Sequence, residues 1–408
     1  MPETLVIETL GHAGDGIAET TAGRVFVPFA LPGETVVAEI AGDRATATAI
    51  LAPSAHRTTP PCPHFGSCGG CSLQHLAIPA YLSWKTAQVA EAFAQHGIAA
   101  EVQPIVPCRP GTRRRAVFTA ERNGRDVMLG FNRMGSHEVV AVPGCLVVVP
   151  EIARSLETLR ALVAPLVRPG RRIRVTVLAT ENGLDVAVDA VGRTDRAATE
   201  ALPRRASGGP VARLTVDGEE VFRAAEPVLA AGVARLFPVP GGFVQAVADA
   251  EAAMADEVMA GIGDAKRIAD LFAGIGTFTL RLARQAKVTA VESDAAALKA
   301  LERATQRTTG IKAVTAARRD LFREPLSVNE LKAFDAVVFD PPRAGAKAQS
   351  ETLAKSPVPT VVAVSCNPAT LARDGRILLD GGYRLVRVQP IDQFLWSGHI
   401  EVVATFRR

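Results

Sequence analysis

The chain has 408 residues, 48% of them hydrophobic and 22% charged, with a formal net charge of +4. That length buries ample core for two or three domains, and no apolar run reaches the roughly 18 residues of a membrane-spanning helix. No basic-then-apolar export signal opens the chain, so its six cysteines are read as reduced thiols of a soluble cytoplasmic protein, not as a disulfide framework.

Residues 1 to about 55 read as short strands broken by Gly14-Asp15-Gly16, Ala22-Gly23, Leu31-Pro32-Gly33 and Gly42-Asp43, a spacing that predicts a small five-stranded barrel. This segment has two arginines against seven acids, so nonspecific attraction to phosphate there is expected to be poor. Next come Cys62, Cys68 and Cys71, three thiols within ten residues, separated by glycines that let a loop fold tightly. A metal centre is the natural reading. Completed by a fourth thiol, it suits either a 4Fe-4S cluster or tetrahedral zinc, and spacing does not separate the two. His64 and His75 are read as polar loop residues, and Cys108 as a semi-buried spectator.

A helix is expected near residues 79–97. Arg109 to Arg133 then holds seven arginines against Glu121 and Asp126, in strands joined by a turn at Asn123-Gly124. Arginines sharing one face of that hairpin are expected to carry RNA. A second hairpin, Arg172 to Val188 around Asn182-Gly183, completes a β-rich central region.

From Arg267 the pattern becomes α/β. Arg267 to Leu271 reads as a strand, followed by Gly274 and Gly276 and a helix from about Thr277 to Gln285. A second strand ends at Glu292, 22 residues after Asp270, the spacing at which a carboxylate reaches the hydroxyls of a ribose. Asp320 follows another short apolar stretch, where it could meet an adenine edge. Thr279 stands where a dinucleotide fingerprint would have its third glycine, so the pattern favours an adenosine cofactor without phosphates, S-adenosylmethionine, over NAD. Phe334 to Phe339 then reads as a strand stopping at Asp340-Pro341-Pro342-Arg343. A last apolar strand ends at Cys366, where a thiol can act as a nucleophile.

With Asp-Pro-Pro-Arg (340–343), Ser-Cys-Asn-Pro-Ala-Thr-Leu (365–371) and Asp-Gln-Phe-Leu-Trp-Ser-Gly-His-Ile-Glu (392–401) in this order, the chain resembles the RNA (uracil-5-)-methyltransferases. The likeness fits best the branch acting on 23S ribosomal RNA, since the transfer RNA branch is taken to lack the N-terminal module and the cysteine cluster. It implies Cys366 as nucleophile and Glu401 as base. Asp340 and Arg343 would hold the uracil. Gln245, Asp270, Phe272, Gly274, Gly276, Thr277, Glu292, Asp320 and Asp340 would hold S-adenosylmethionine. Cys145 becomes the fourth ligand beside Cys62, Cys68 and Cys71, and the cluster is 4Fe-4S, zinc being the alternative. Thr277, Asp320, Ala273 and Leu395-Trp396 depart from the commonest family pattern.

The architecture so implied has three parts. Residues 1–55 form a TRAM-like (OB-like) β-barrel, to which Gly-Asp-Gly-Ile-Ala (14–18) is similar. Residues 56–240 form a central β-rich iron-sulfur domain, whose helix near 79–97 packs on the catalytic part. Residues 241–408 form a class I, Rossmann-like α/β methyltransferase domain. The expected partner is RNA, by the resemblance 23S ribosomal RNA, presenting an unpaired or flipped uridine to a monomeric enzyme with no membrane association. Phe131, Trp396 and His399 are the candidates for stacking on it. Competing functions are a transfer RNA uridine-5 methyltransferase, a noncatalytic RNA-binding or ribosome-assembly protein, and an amino methyltransferase that would need no thiol.

Overall fold

A computed structural model describes residues 2–192 and 196–408. Its strands fall into three large sheets and one small hairpin. The first sheet has six strands where five were expected: Glu3–Val6, Thr9–Leu10, Gly16–Thr20, Gly23–Val27, Thr35–Ala41 and Arg44–Ala52. The extra one arises because the opening segment changes partner at Ile7. Glu3–Val6 pairs with Thr35–Ala41, whereas Thr9–Leu10 pairs with Gly16–Thr20 at the far edge, so one stretch of chain ties both edges together. Alternating side chains such as Leu5, Ala18, Val25, Val27, Val36 and Ala38 fill the interior.

The central sheet runs Glu219–Arg223, Val211–Val216, Gly183–Asp189, Arg172–Thr180, Arg115–Asn123, Asp126–Asn132, Val139–Ala141. In its first hairpin Asn123 pairs with Asp126, with Gly124 at φ 60°, so the turn falls where the Asn-Gly pair predicts it. The helices Pro150–Val163 and Arg196–Ala206 cover one face, with Ile152, Leu156, Leu159 and Leu162 from the first and Leu202 from the second in the shared core.

The C-terminal sheet is ordered Val314–Arg318, Lys287–Glu292, Arg267–Leu271, Ala336–Phe339, Thr360–Ser365, Glu401–Arg407, Arg384–Ile391. Its first five strands are parallel and the last two antiparallel. Helices on both faces explain why Ala336–Phe339 is buried throughout and reads as an unbroken apolar run. One face is closed by the helix Ala248–Ile262, through Met254 and Val258. The other is closed by Pro368–Asp380 and, from far upstream, by Ile78–Gln95 through Val89 and Phe93. Residues Val102 and Val106 then bridge to Val388 and Ile391 at the sheet edge. The helix after the glycine loop spans only Thr279–Leu282, shorter than its sequence suggests. No helix among the described residues is long and apolar enough to cross a membrane.

Strand order reverses between Arg267–Leu271 and Ala336–Phe339. In an open parallel sheet the loops at the carboxyl ends on either side of such a reversal part and leave a crevice.

Candidate active site

That crevice is a cleft of about 500 Å³. Cys366 enters it from the turn between Thr360–Ser365 and Pro368–Asp380. Asn367 fixes the turn by accepting from the Ala369 N–H at 3.2 Å, an N-cap with proline at the start of the helix. Glu401 is the first residue of its strand. Because Ser365 pairs with Val402 across the antiparallel ladder, the next step of the same register brings Cys366 beside Glu401. Asp340 follows Ala336–Phe339, and all three line the cleft with Arg343.

A short chain of amides joins the two carboxylates. Gln245 Nε2 donates to Asp340 Oδ2 at 3.1 Å. Gln393 Nε2 donates to Gln245 Oε1 at 2.8 Å and to Glu401 Oε1 at 3.0 Å, while the Val247 N–H donates to Gln393 Oε1 at 3.2 Å. Gln245, Gln393 and Glu401 are all buried. Burial pushes the Glu401 carboxyl well above the usual carboxylate range, nearby Asp340 adds to this, and the Gln393 amide opposes it. Asp340 is raised as well, mainly by burial, against the hydrogen bond from Gln245. Burial also pushes the Cys366 thiol up to about 11, helped by Glu401 and Asp340 and opposed by Arg343. At neutral pH the resting site therefore holds a protonated thiol beside carboxyls that keep a proton readily.

The other half of the cleft carries the adenosine-type features. Phe272 (φ 60°) and Gly274 (φ 54°) turn the backbone into the left-handed region, and Thr277, Glu292 and Asp320 line the wall with them. Glu292 accepts from the Gly274 N–H at 2.9 Å and from the Ser293 and Asp294 N–H groups at 2.7 and 2.8 Å, which fixes its carboxylate against the loop. Two of the expected contacts do not reach the cleft surface. Asp270 is buried beneath the loop and accepts from the Thr279 hydroxyl, and burial lifts its pKa to about 7. At Gly276, φ is 97° and a Cβ would lie 2.4 Å from Leu301 Cδ1, so this glycine serves helix packing and not ligand approach.

Aromatic placement also differs from expectation. Phe131 packs on Phe118, Trp396 is buried, and His399 lines a different cavity. The exposed rings at the cleft are Phe243, 72% exposed, and Phe322, whose ring lies 5.4 Å from that of Phe272. Sequence reading missed both, and missed Gln393 although it stands inside a quoted motif. For Phe243 the available signal was the Gly241-Gly242 pair just before it, with φ 67° at Gly241, which lifts the backbone into a projecting turn.

The second cavity, of about 260 Å³, is lined by Cys62, Cys68, Cys71 and Cys145 together with Arg113, Phe394 and His399. All four thiols are free, as are Cys108 and Cys366. Among the described residues no group of three or more His, Cys, Asp or Glu side chains is placed to hold a metal ion. The thiols therefore surround one space without converging on a point. His75 is not the polar loop residue expected; it is buried with its ring 6.0 and 5.5 Å from those of Phe29 and Phe65.

The loop Asp392–Ile400 belongs to both sites. It ends at Glu401, yet Phe394, Leu395, Ser397 and His399 line the cysteine cavity. Ser72 and Leu73 donate their N–H groups to the Trp396 carbonyl at 2.8 and 3.0 Å. From the helix Ile78–Gln95, Tyr81 donates to Asp392 Oδ2 and accepts from the Trp396 N–H, and Lys85 donates to Asp392 Oδ1 and to the Phe394 and His399 carbonyls.

The arginine-rich stretch is divided: Arg113, Arg114, Arg115 and Arg122 are turned toward the molecule, whereas Arg109, Arg125 and Arg133 are exposed, so only part of the face expected to carry RNA is open. Arg114 pairs with buried Glu251, Arg115 donates to the Gly241 and Gly242 carbonyls, and Arg122 donates to those of Ala164 and Val167. Arg109 and Arg133 pair with Asp249 and Glu138. Arg113 lies over the Phe394 ring. A β-hairpin makes arginines share a face, but neighbouring carbonyls and carboxylates decide whether that face is free.

Residues 237–408 match the family model described as tRNA (Uracil-5-)-methyltransferase. An RNA methyltransferase of Rhizobium meliloti is 47% identical over 411 residues, covering 99% of both chains. A 23S rRNA (uracil(1939)-C(5))-methyltransferase of Chromohalobacter salexigens is 35% identical over 426 residues, covering 99% of this chain and 89% of that one. The chain belongs to the RNA (uracil-5-)-methyltransferase family. The fold of this methyltransferase matches the crystal structure of the Pyrococcus abyssi tRNA (uracil-54, C5)-methyltransferase in complex with S-adenosyl-L-homocysteine, with TM-score 0.78, 22% identity and 99% of both chains covered. Its C-terminal sheet is thus a Rossmann-like methyltransferase sheet. The same match corrects one premise: a transfer RNA enzyme spans the full length of this chain, so the N-terminal parts do not by themselves separate ribosomal from transfer RNA enzymes.

Proposed function

We propose that this enzyme methylates carbon 5 of a specific uridine in RNA, using S-adenosylmethionine, with Cys366 as nucleophile and Glu401 as base. The reading is carried by one observation: a thiol and a carboxylate, 35 residues apart in sequence, are brought side by side by strand register in a cleft that also has an adenosine-type wall. Bound S-adenosylmethionine supplies the electrophilic methyl group. Phe272, Gly274, Thr277, Glu292 and Asp320 would hold its adenosine part, with the Phe322 ring beside that of Phe272. Gln245 and Asp340 lie at the junction with the uridine side.

The remaining chemistry belongs to the protein. Uracil carbon 5 is a weak nucleophile until something adds to carbon 6. The Cys366 thiol loses its proton to the Asp340 carboxylate, which leaves Glu401 free to accept one, and its sulfur bonds to carbon 6, so that the electron pair of the 5,6 double bond becomes available at carbon 5. After carbon 5 gains its methyl, Glu401 takes the proton still there. The electrons of that C–H bond restore the double bond, the carbon–sulfur bond breaks, and sulfur leaves with its pair. Burial, which raises the Glu401 carboxyl, makes its ionised form a stronger base than a free carboxylate. Asp340 and Arg343 would hold the uracil edge.

Labelled methyl transfer to unmodified ribosomal RNA tests the proposal. Cys366→Ala is expected to lower turnover by at least about 10³-fold and to form no covalent RNA adduct, whereas an amino methyltransferase would keep full activity. Whole-length similarity to a 23S ribosomal RNA enzyme favours ribosomal RNA as substrate. A transfer RNA substrate is the second reading, favoured by the likeness to an archaeal transfer RNA enzyme. Mapping 5-methyluridine in both RNA classes from cells lacking the gene decides between them.

For the cysteine cavity we propose a 4Fe-4S cluster held by Cys62, Cys68, Cys71 and Cys145. The four cysteines line one cavity of about 260 Å³, and their pattern of a tight three plus one distant cysteine recurs in iron-sulfur proteins. Such a cluster supplies an anionic structural centre, and no methylation step passes through it. Anaerobic purification is expected to give about four irons per chain; one zinc and no iron would remove the assignment. Residues 1–55, 56–240 and 241–408 are proposed as a TRAM-like barrel, an iron-sulfur domain and the catalytic domain, the first supported by a sheet whose two edges share one segment.

A further inference from the structure

We infer that Gln393 is the positioning residue that orients Glu401 for proton removal and fixes which oxygen of each catalytic carboxyl faces the cleft. The inference rests on the reading of Glu401 as base and deepens it. An amide side chain can normally be turned over without visible consequence, because oxygen and nitrogen are nearly the same size. Here the Val247 N–H settles the matter. A backbone N–H can only donate, so the Gln393 atom facing it at 3.2 Å must be the carbonyl oxygen.

Both Nε2 hydrogens of Gln393 are then committed, one to Glu401 Oε1 at 3.0 Å and one to Gln245 Oε1 at 2.8 Å. That in turn fixes Gln245, whose oxygen is engaged, so its Nε2 must face Asp340 Oδ2 at 3.1 Å. Polarity thus runs in one direction from a main-chain N–H through two glutamines to two carboxyls. Glu401 Oε1 and Asp340 Oδ2 are each held as acceptors. The carbonyl oxygen of a carboxyl is the better acceptor, so a proton that either group carries or takes is favoured on the other oxygen, Glu401 Oε2 or Asp340 Oδ1. A base whose reactive oxygen is chosen in advance spends no reorganisation at the moment of transfer. Gln393 does not line the cleft, and its effect passes through Glu401.

The charged and titratable groups around Glu401 are Asp340, Cys366 and, beside Cys366, Arg343. Loss of the Gln393 donor leaves Asp340 and burial to act on Glu401 unopposed, so its carboxylate form is favoured less and the acid limb of turnover moves to higher pH.

The test uses the full-length enzyme with labelled S-adenosylmethionine and its RNA. Gln393→Met keeps the length of the side chain and removes both donors. It is expected to form the methylated covalent RNA adduct in the first turnover at a rate near that of the unaltered enzyme, to release it at least about tenfold more slowly, and to show the shifted acid limb. Gln393→Glu keeps the shape but has no donor once ionised, so its activity relative to the unaltered enzyme is expected to fall further as pH rises. Glu401→Gln, run alongside, is expected to stop at the adduct. If Gln393→Met releases product at the normal rate, or if both Gln393 variants slow every step equally with no change in pH profile, the inference is overturned. An arrested Glu401→Gln in that same experiment leaves the base assignment standing, and a Glu401→Gln that turns over normally overturns both.

Discussion

Buried carboxyls set the pH behaviour of this enzyme at the level of single residues. Asp270 sits under the glycine loop with its pKa lifted to about 7 by burial, against hydrogen bonding to Thr279. Its folded form binds a proton more tightly than its unfolded form, whose pKa is near 4. Between about pH 4 and pH 7 the folded state therefore holds the extra proton, and the contribution of Asp270 to stability is full below that window and lost as pH rises through it. Asp270→Asn keeps an acceptor for the Thr279 hydroxyl and cannot ionise. The variant is expected to lose part of the pH dependence of unfolding, with the stability difference between pH 5 and pH 8 reduced by on the order of 1 kcal/mol or more. Denaturant melts of both proteins at the two pH values check this, and an unchanged difference would count against an ionising Asp270. The same residue shows what sequence reading leaves open. Its position before a glycine loop gave it a cofactor role; in the structure Asp270 is buried and accepts from the Thr279 hydroxyl, whereas Phe272, Ala273, Gly274 and Thr277 of the loop line the cleft.

Among the elements, the helix Ile78–Gln95 has the widest reach. Its inner face is Tyr81, Lys85, Val89 and Phe93, spaced four apart, with Lys85 fully buried against Asp392 at 2.8 Å. Removing one partner of a buried ion pair leaves the other charge unmatched, at a cost of about 3–5 kcal/mol. Lys85→Met is expected to destabilise the protein by about that amount and to slow turnover through the Asp392–Ile400 loop. Lys85→Met combined with Asp392→Leu should recover more than half of the lost stability, and a double-mutant cycle by chemical denaturation measures it. The hairpins, the parallel strands and the residues at strand ends were legible in sequence because period, turn chemistry and reaction chemistry each restrict residue type. The inner face of this helix was not, since a lysine in the middle of an apolar stripe reads as solvent-facing until its aspartate, 307 positions away, is known. The glutamine chain was hidden for a similar reason: Gln245, Gln393 and Glu401 acquire meaning only through one another.

The molecule as a whole carries little net positive charge with which to attract RNA. Its net charge is only +4, and most of the arginine-rich hairpin is tied to Glu251, Asp249, Glu138 and main-chain carbonyls. Few phosphates can then be neutralised, and RNA binding is expected to weaken only gently with salt, with a slope of log K against log salt of magnitude below about 4. Titrations from 50 to 300 mM salt check this, and a slope near 8 would point to a basic surface that the arginine pairing conceals. Recognition would then rest on the shape of a loop and on rings that meet an unstacked base.

The chain contains two tryptophans, and both belong to one apolar cluster, where Trp84 and Trp396 meet Leu73, Leu76, Tyr81 and Leu395 between the cysteine loop and the loop leading to Glu401. The protein's tryptophan fluorescence therefore comes from that seam alone. Its emission should be blue-shifted while the seam is dry and move to the red when the seam opens, which makes an unlabelled sample its own spectroscopic gauge of whether the cysteine loop still packs on the loop leading to Glu401.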